Sequence, residues 1–329
     1  MDRPPEEMRF MGFVGIFKDS FKIIAKYKKV LSAITISLIL PLALLFVVQI
    51  QVSDYLYHKL RHDRHVLTHH ENDRHLSDIL TSDRIGYVAL KIAYYIVLLV
   101  FSLLSTSAVV YLVASVYTAK PISFKKVMSV VPKVWKKMSV TLIWIFLISF
   151  VYSLFTLGFW VVLMGIFGYS SGATEATLSI IIFVLHFVGL VYLCVIWFLA
   201  SMITVLEDVT GIDAMVKAKD LIHGKKKVVI PIFLLLVMVC YGVLIVYHIF
   251  VVYEWNPAFL FGLGSACLLV LTGLFLLGLV VQTVTYFVCK TYHCEHIDRP
   301  ALAEHLEAYA PNYERLRESK DLQMPQVYV

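Results

Sequence analysis

Apolar positions along this chain fall into long unbroken runs, and the polar positions between the runs carry nearly all the charge. Six runs are long enough to cross a hydrocarbon core roughly 30 Å thick, which takes about 20 apolar helical residues. They lie at about 30–51, 86–113, 138–165, 177–206, 228–252 and 258–288. In lipid every backbone polar group has to be satisfied within its own segment or a closed sheet, so each run is predicted to be a helix. The predicted fold class is all-α: a polytopic membrane helical bundle with six transmembrane helices. The chain then divides into an N-terminal segment with an interfacial helix (1–29), a membrane domain (30–288) and a tail (289–329). Pro41 is expected to kink span one, and residues 52–85 form the longest predicted loop.

A second pattern sits between the runs. In residues 9–29, Phe10, Phe13, Val14, Phe17, Phe21 and Ile24 recur at three- and four-residue steps, while Lys18, Lys22 and Lys26 occupy another side. Such a helix, aromatic on one face and basic on another, is too charged to span and is expected to lie in the membrane interface. Phe124, Val127, Met128, Val131 and Trp135 form a similar stripe before span three, where Pro132 is expected to break or kink the helix. The stretch Leu206–Lys227 opens with a capping box, Thr210 to Asp213, runs through a short amphipathic helix and stops at Gly224 before three lysines. Each segment ends in lysines that abut an apolar hairpin, which gives the chain the outline of a threefold internal repeat. The candidate contacts to lipid head groups are Lys22 and Lys26; Lys133, Lys136 and Lys137; and Lys225, Lys226 and Lys227. The stripes expected to insert are Phe13, Phe17 and Phe21; Phe124, Val127 and Trp135; and Ile212, Met215 and Ile222.

Composition agrees with this pattern. Hydrophobic residues make up 60% of the chain and charged residues 16%, against roughly 45–50% and about 25% in soluble domains. The net charge is +6, and its placement decides orientation. An even number of spans puts both termini on one side, and that side carries 23 lysines and arginines against six on the other. Basic residues stay on the cytosolic side, so both termini are expected in the cytosol, in the endomembrane system or the plasma membrane. Charges run throughout the first thirty residues, so span one is expected to serve as the targeting signal.

Chemistry-bearing residues are sparse. His58, His62, His65, His69, His70 and His75 crowd the first outer loop. A helical 4-3-4 spacing of four of them would suit zinc. The repeated Asp-Arg-His at Asp63 and Asp73 reads instead as a solvated helix with local ion pairs, and titration near 6.5 adds a pH-sensing alternative. Within or near the spans, Gln49, Lys91, His186, Glu207, His248 and Gln282 are the notable polar residues, with His186 the one ionisable group near a span centre. Cys194, Cys240 and Cys267 fall in apolar runs and are expected to pack as small hydrophobes. Cys289 and Cys294 flank the end of span six, where acylation is an option. No P-loop, G-x-S-x-G or H-E-x-x-H motif occurs, so neither enzymatic activity nor a cofactor or metal site is expected.

The stretch Val205–Lys225, with its acid, glycine, alanine and a helix ending in Leu-x-x-Gly, is similar to a segment of bacterial multi-span membrane domains found fused to glycerophosphodiester phosphodiesterases. The tail FVCKTYHCEHIDRPALAEHLEAY resembles that of a plant family of uncharacterised six-span integral membrane proteins, and this resemblance extends over nearly the whole chain. It implies fold and topology and no activity. The expected function is a non-enzymatic scaffold or adaptor that organises membrane or recruits cytosolic protein partners. Membrane lipids, anionic ones in particular, are expected to bind, and nucleic acid is not. The alternative is a transporter or lipid-handling protein with a site near the bilayer midplane.

Overall fold

The computed structural model describes residues 9–53, 74–118, 124–167, 172–207, 209–252 and 256–293, and every regular element among them is helical. We label the helices in chain order: α1 (Phe13–Lys26), α2 (Lys28–Ser53), α3 (Arg74–Tyr117), α4 (Phe124–Phe167), α5 (Gly172–Leu206), α6 (Ile212–Ile222), α7 (Lys226–Val252) and α8 (Pro257–Tyr292). By length and composition six of them can cross a membrane, over Lys28–Ser53, Gly86–Tyr117, Val134–Ile166, Glu175–Leu206, Lys226–Val251 and Ala258–Tyr292. This is the build of a multi-pass membrane protein, and each span overlaps its predicted run.

Two local expectations change and a third gains detail. Pro41, expected to kink span one, lies inside α2; a wider π turn over Thr35–Ile39 precedes it, with the Leu40 amide bonded to the Thr35 carbonyl. A proline at this point lacks its N–H and crowds the carbonyl four residues back, and a π turn is one way a helix absorbs that conflict. Pro132 does not end its helix. It lies inside the 44-residue α4, so the second basic segment is the first part of the same helix as span three rather than a separate one. Finally, α3 begins at Arg74 and turns the end of the long predicted loop into helix. The histidines His58–His70 lie outside the described residues.

The chain forms two compact units. One contains Met1–Ile23, Val110–Phe233 and Val280–Val329; the other contains Ile24–Val109 and Leu234–Leu279. In the first, Ile16, Ile23, Leu112, Leu199, Met202, Ile203, Tyr286 and Phe287 are fully buried. There α4 packs along α5, and the short α6 packs on α5 and touches α4. Away from these contacts α4 and α5 expose large apolar side chains such as Phe155 and Phe183, the surface expected of a helix bathed in lipid. In the second unit Ala43, Val47, Tyr247, Cys267 and Leu271 form the core. Tyr247 is buried with its hydroxyl accepting from the Gln51 amide at 2.7 Å, and Gly264 leaves room for that ring. Gln49 and Lys91 both donate to the Ser53 hydroxyl.

Candidate functional site

The end of α5, the loop after it and α6 collect the polar contacts of the first unit. Gly211 starts α6 with φ 67° and ψ −132°, the corner of a type II′ turn, which a side chain tolerates poorly. It is also tightly packed: a Cβ there would lie 3.0 Å from the Trp144 ring. The predicted capping box does not form, because Gly211 and not Thr210 is the N-cap and no side chain caps the helix. The Gly211 amide donates instead to the Thr141 hydroxyl on α4 at 2.9 Å. Thr141 and Thr204 lie 3.0 Å apart, and Thr204 gives its proton to the Ala200 carbonyl. Thr141 also reaches the Lys137 carbonyl of its own helix at 3.4 Å, and Gly211, Thr141 and Thr204 form a buried chain of contacts from the loop through α4 to α5. The other end of α6 follows prediction: Gly224, at φ 90°, ends it against the Tyr292 ring.

Glu207, one residue past α5, is the centre of this region. Its carboxylate lies 2.6 Å from Lys217 on α6 and 2.6 Å from Lys290 on α8, and it accepts from the Tyr286 hydroxyl. Burial alone would raise its affinity for a proton. The hydrogen bonds from Lys217, Lys290 and Tyr286 outweigh burial and hold the carboxyl below the usual carboxylate range. Glu207 thus clamps α6 and α8 onto the end of α5.

On α8 these partners belong to one stripe. Gln282 donates to the Phe198 carbonyl and, at 2.9 Å, to the Ser201 hydroxyl of α5. Tyr286 and Lys290 meet Glu207, and His293 meets the Leu221 carbonyl of α6 at 3.2 Å. Steps of four, four and three residues keep all of them on one helix face.

His186 is placed just as locally. Its Nδ1 lies 3.0 Å from the Thr156 hydroxyl on α4, and its ring stacks on Tyr152. The same Thr156 hydroxyl also reaches the Tyr152 carbonyl of its own helix. His248 is exposed on α7. Gln282 and His186, the polar groups a midplane site would use, are thus bound to neighbouring helices.

The candidate lysines separate into groups. Lys22, Lys26, Lys136 and Lys227 are exposed, and Lys137 and Lys226 are half-buried. The Lys133 side chain lies outside those described. Lys225 is engaged: its ammonium donates to the Met11 carbonyl at 3.4 Å and lies 5.0 Å from the centre of the Tyr292 ring. It ties the N-terminal segment to the turn after α6 and is not a free head-group ligand. Of the stripes expected to insert, Val127, Met215 and Ile222 are buried inside the protein, because α4 and α6 use those faces to pack on other helices, whereas Ile212 is exposed. Cys289 is likewise buried at 1% exposure, which removes it as an acylation site; Cys294 lies outside the described residues. Glu207 stands out in the sequence as an acid at a span end, whereas its partners Tyr286 and Lys290, and Thr141, carry no such local signal.

The fold therefore defines the class as a multi-pass α-helical membrane protein. Residues 1–327 match the family described as Domain of unknown function (DUF8558), and the chain belongs to that family. No curated protein and no solved structure matches it.

Proposed function

We propose that this protein is a non-enzymatic membrane scaffold whose cytosolic end, rich in exposed lysine, gathers anionic lipid and presents a basic surface to cytosolic partners. The observation that carries this reading is a division of labour among polar groups. Gln282, His186, Thr141 and Thr204 bond to adjacent helices, whereas Lys22, Lys26, Lys136 and Lys227 stand exposed. A basic residue near an anionic leaflet contributes on the order of 1 kcal/mol, so a few exposed lysines suffice to enrich such lipids. Both termini are cytosolic in this reading, as the distribution of basic residues requires.

Orientation is checked by cysteine accessibility. A cysteine at Ser77 is expected to react with an impermeant reagent from the lumenal or extracellular face alone, and one at Ser319 from the cytosol alone. Reaction of both from one face contradicts six spans. Lipid selection is checked separately. The triple substitution Lys22→Gln, Lys136→Gln, Lys227→Gln leaves most basic residues on the same side, so orientation is retained. Native mass spectrometry is expected to show several-fold less co-purifying anionic phospholipid, and undiminished enrichment would reduce these lysines to topology signals.

A further inference from the structure

α1 is inverted relative to a helix packed at an aqueous surface. Its buried face is Ile16, Asp19, Ser20 and Ile23, half of it polar, with Ser20 bonded back to the Ile16 carbonyl. The opposite face carries Val14, Lys18, Phe21 and Ala25, all exposed, Val14 at 76% and Phe21 at 56%; just ahead of the helix Phe10 is 82% exposed. At about 100° per residue the outward surface has two flanks. Phe17, Ile24, Phe21 and Val14 follow one another on one side; Lys18, Lys22 and Lys26 follow one another on the other.

Two features of the chain place this surface. Only Tyr27 separates α1 from Lys28, where span one starts, so the end of α1 sits at the depth where that span enters the bilayer. At the other end Lys225 holds the Met11 carbonyl, which fixes the start of α1 to the turn preceding the fifth span. A helix tethered near both ends at the membrane boundary, apolar on one outward flank and cationic on the next, matches the boundary between acyl chains and anionic head groups. In the other two basic segments the apolar stripe is partly turned inward, Val127, Met215 and Ile222 being buried in the protein.

We infer that α1 is an in-plane membrane-inserting element, with Phe10, Val14 and Phe21 entering the acyl boundary of an anionic cytosolic leaflet and Lys18, Lys22 and Lys26 on its head groups. The inference rests on the multi-pass reading above, but not on lipid enrichment by Lys136 or Lys227. It is tested on the full chain in nanodiscs by placing an environment-sensitive fluorescent residue at Val14 or, independently, at Phe21. Asp220, exposed on α6, is the water-facing control. At both α1 positions quenching by lipids with a shallow nitroxide is expected to exceed that at position 220 several-fold, and quenching by aqueous iodide to fall several-fold below it. Replacing part of the phosphatidylcholine with phosphatidylserine is expected to increase the nitroxide quenching at least twofold, and Lys18→Gln, Lys22→Gln, Lys26→Gln to remove that increase. Iodide quenching equal to the control puts the face in water and overturns the inference. Protection from iodide without nitroxide quenching means a protein covers it and does the same, and indifference to phosphatidylserine overturns the anionic part. If α1 passes while native mass spectrometry shows no enrichment, only the scaffold reading fails; the reverse pair of results fails only the inference.

Discussion

Gly211→Ala is expected to destabilise the protein by roughly 3 kcal/mol. Backbone held at φ 67°, ψ −132° is a region that a residue with a Cβ occupies at about 1–3 kcal/mol of strain. The added methyl also meets Trp144 at 3.0 Å, contact with a rigid ring that has to shift, and forcing atoms into a packed site adds about 1–3 kcal/mol. The measurement is thermal unfolding of the detergent-solubilised protein, with a drop of several degrees expected. The double substitution Gly211→Ala, Trp144→Ala separates the two parts. Relative to Trp144→Ala alone, adding Gly211→Ala retains the backbone strain and loses the clash. If Gly211→Ala unfolds at the wild-type temperature, the loop does not hold the conformation described.

Glu207→Gln is expected to have an effect of similar size, about 2–3 kcal/mol. Removing one partner of a buried ion pair costs about 3–5 kcal/mol, reduced here because Lys217 retains 32% exposure and Lys290 18%. Its pH dependence identifies the cause. The Glu207 carboxyl is held below its ordinary range in the folded protein, so the unfolded chain takes up the proton first as pH falls. The stabilisation is complete above the unfolded value, about 4.3, and is lost as pH drops from there through the folded value. The difference in unfolding temperature between wild type and Glu207→Gln is therefore expected to be constant from pH 7 to about 5.5 and to shrink in more acid solution. A difference that changes across the neutral range points to another group.

The spans were legible because lipid imposes a length and an apolarity that a single stretch of sequence displays by itself. The stop at Gly224 was legible for a similar reason: a glycine after a short amphipathic run is a local signal. What was not legible depends on residues far apart in the chain. Glu207 could be flagged as an acid at a span end, but nothing near it announces Tyr286 and Lys290, 79 and 83 residues on. Thr141 looked like one more small residue of span three, and Thr210 with Asp213 looked like a cap; the tertiary contact to Thr141, 70 residues back, replaced the local one. Periodicity also found the faces of α6 and of the start of α4, but not what covers them. Met215 and Val127 are apolar at helical spacing whether they meet lipid or protein, and only packing distinguishes the two. Of the break or kink that Pro132 suggests, the break does not occur, because the helix is continuous with a membrane span and tolerates the missing hydrogen bond there.

The stripe Gln282, Tyr286, Lys290 and His293 bears on how α8 is able to move. A helix that ratchets along its axis advances about 5.4 Å per turn, and such one-turn jumps are among the known switching movements of proteins. On α8 that displacement would pull the four side chains off Phe198 and Ser201, Glu207 and Leu221 together. The replacement partners would have to appear at the same interval along α5 and α6. Within α5 the one carboxylate is Glu175, at its far end, so Lys290 meets no second acid one turn further toward the start of that helix. A rotation of about 100°, the equivalent of one inserted residue, turns the stripe off its partners on α5 and α6 altogether. The stripe thus sets the register of the end of α8 against α5 and α6, and a single-residue insertion between Gln282 and Tyr286 is expected to break it.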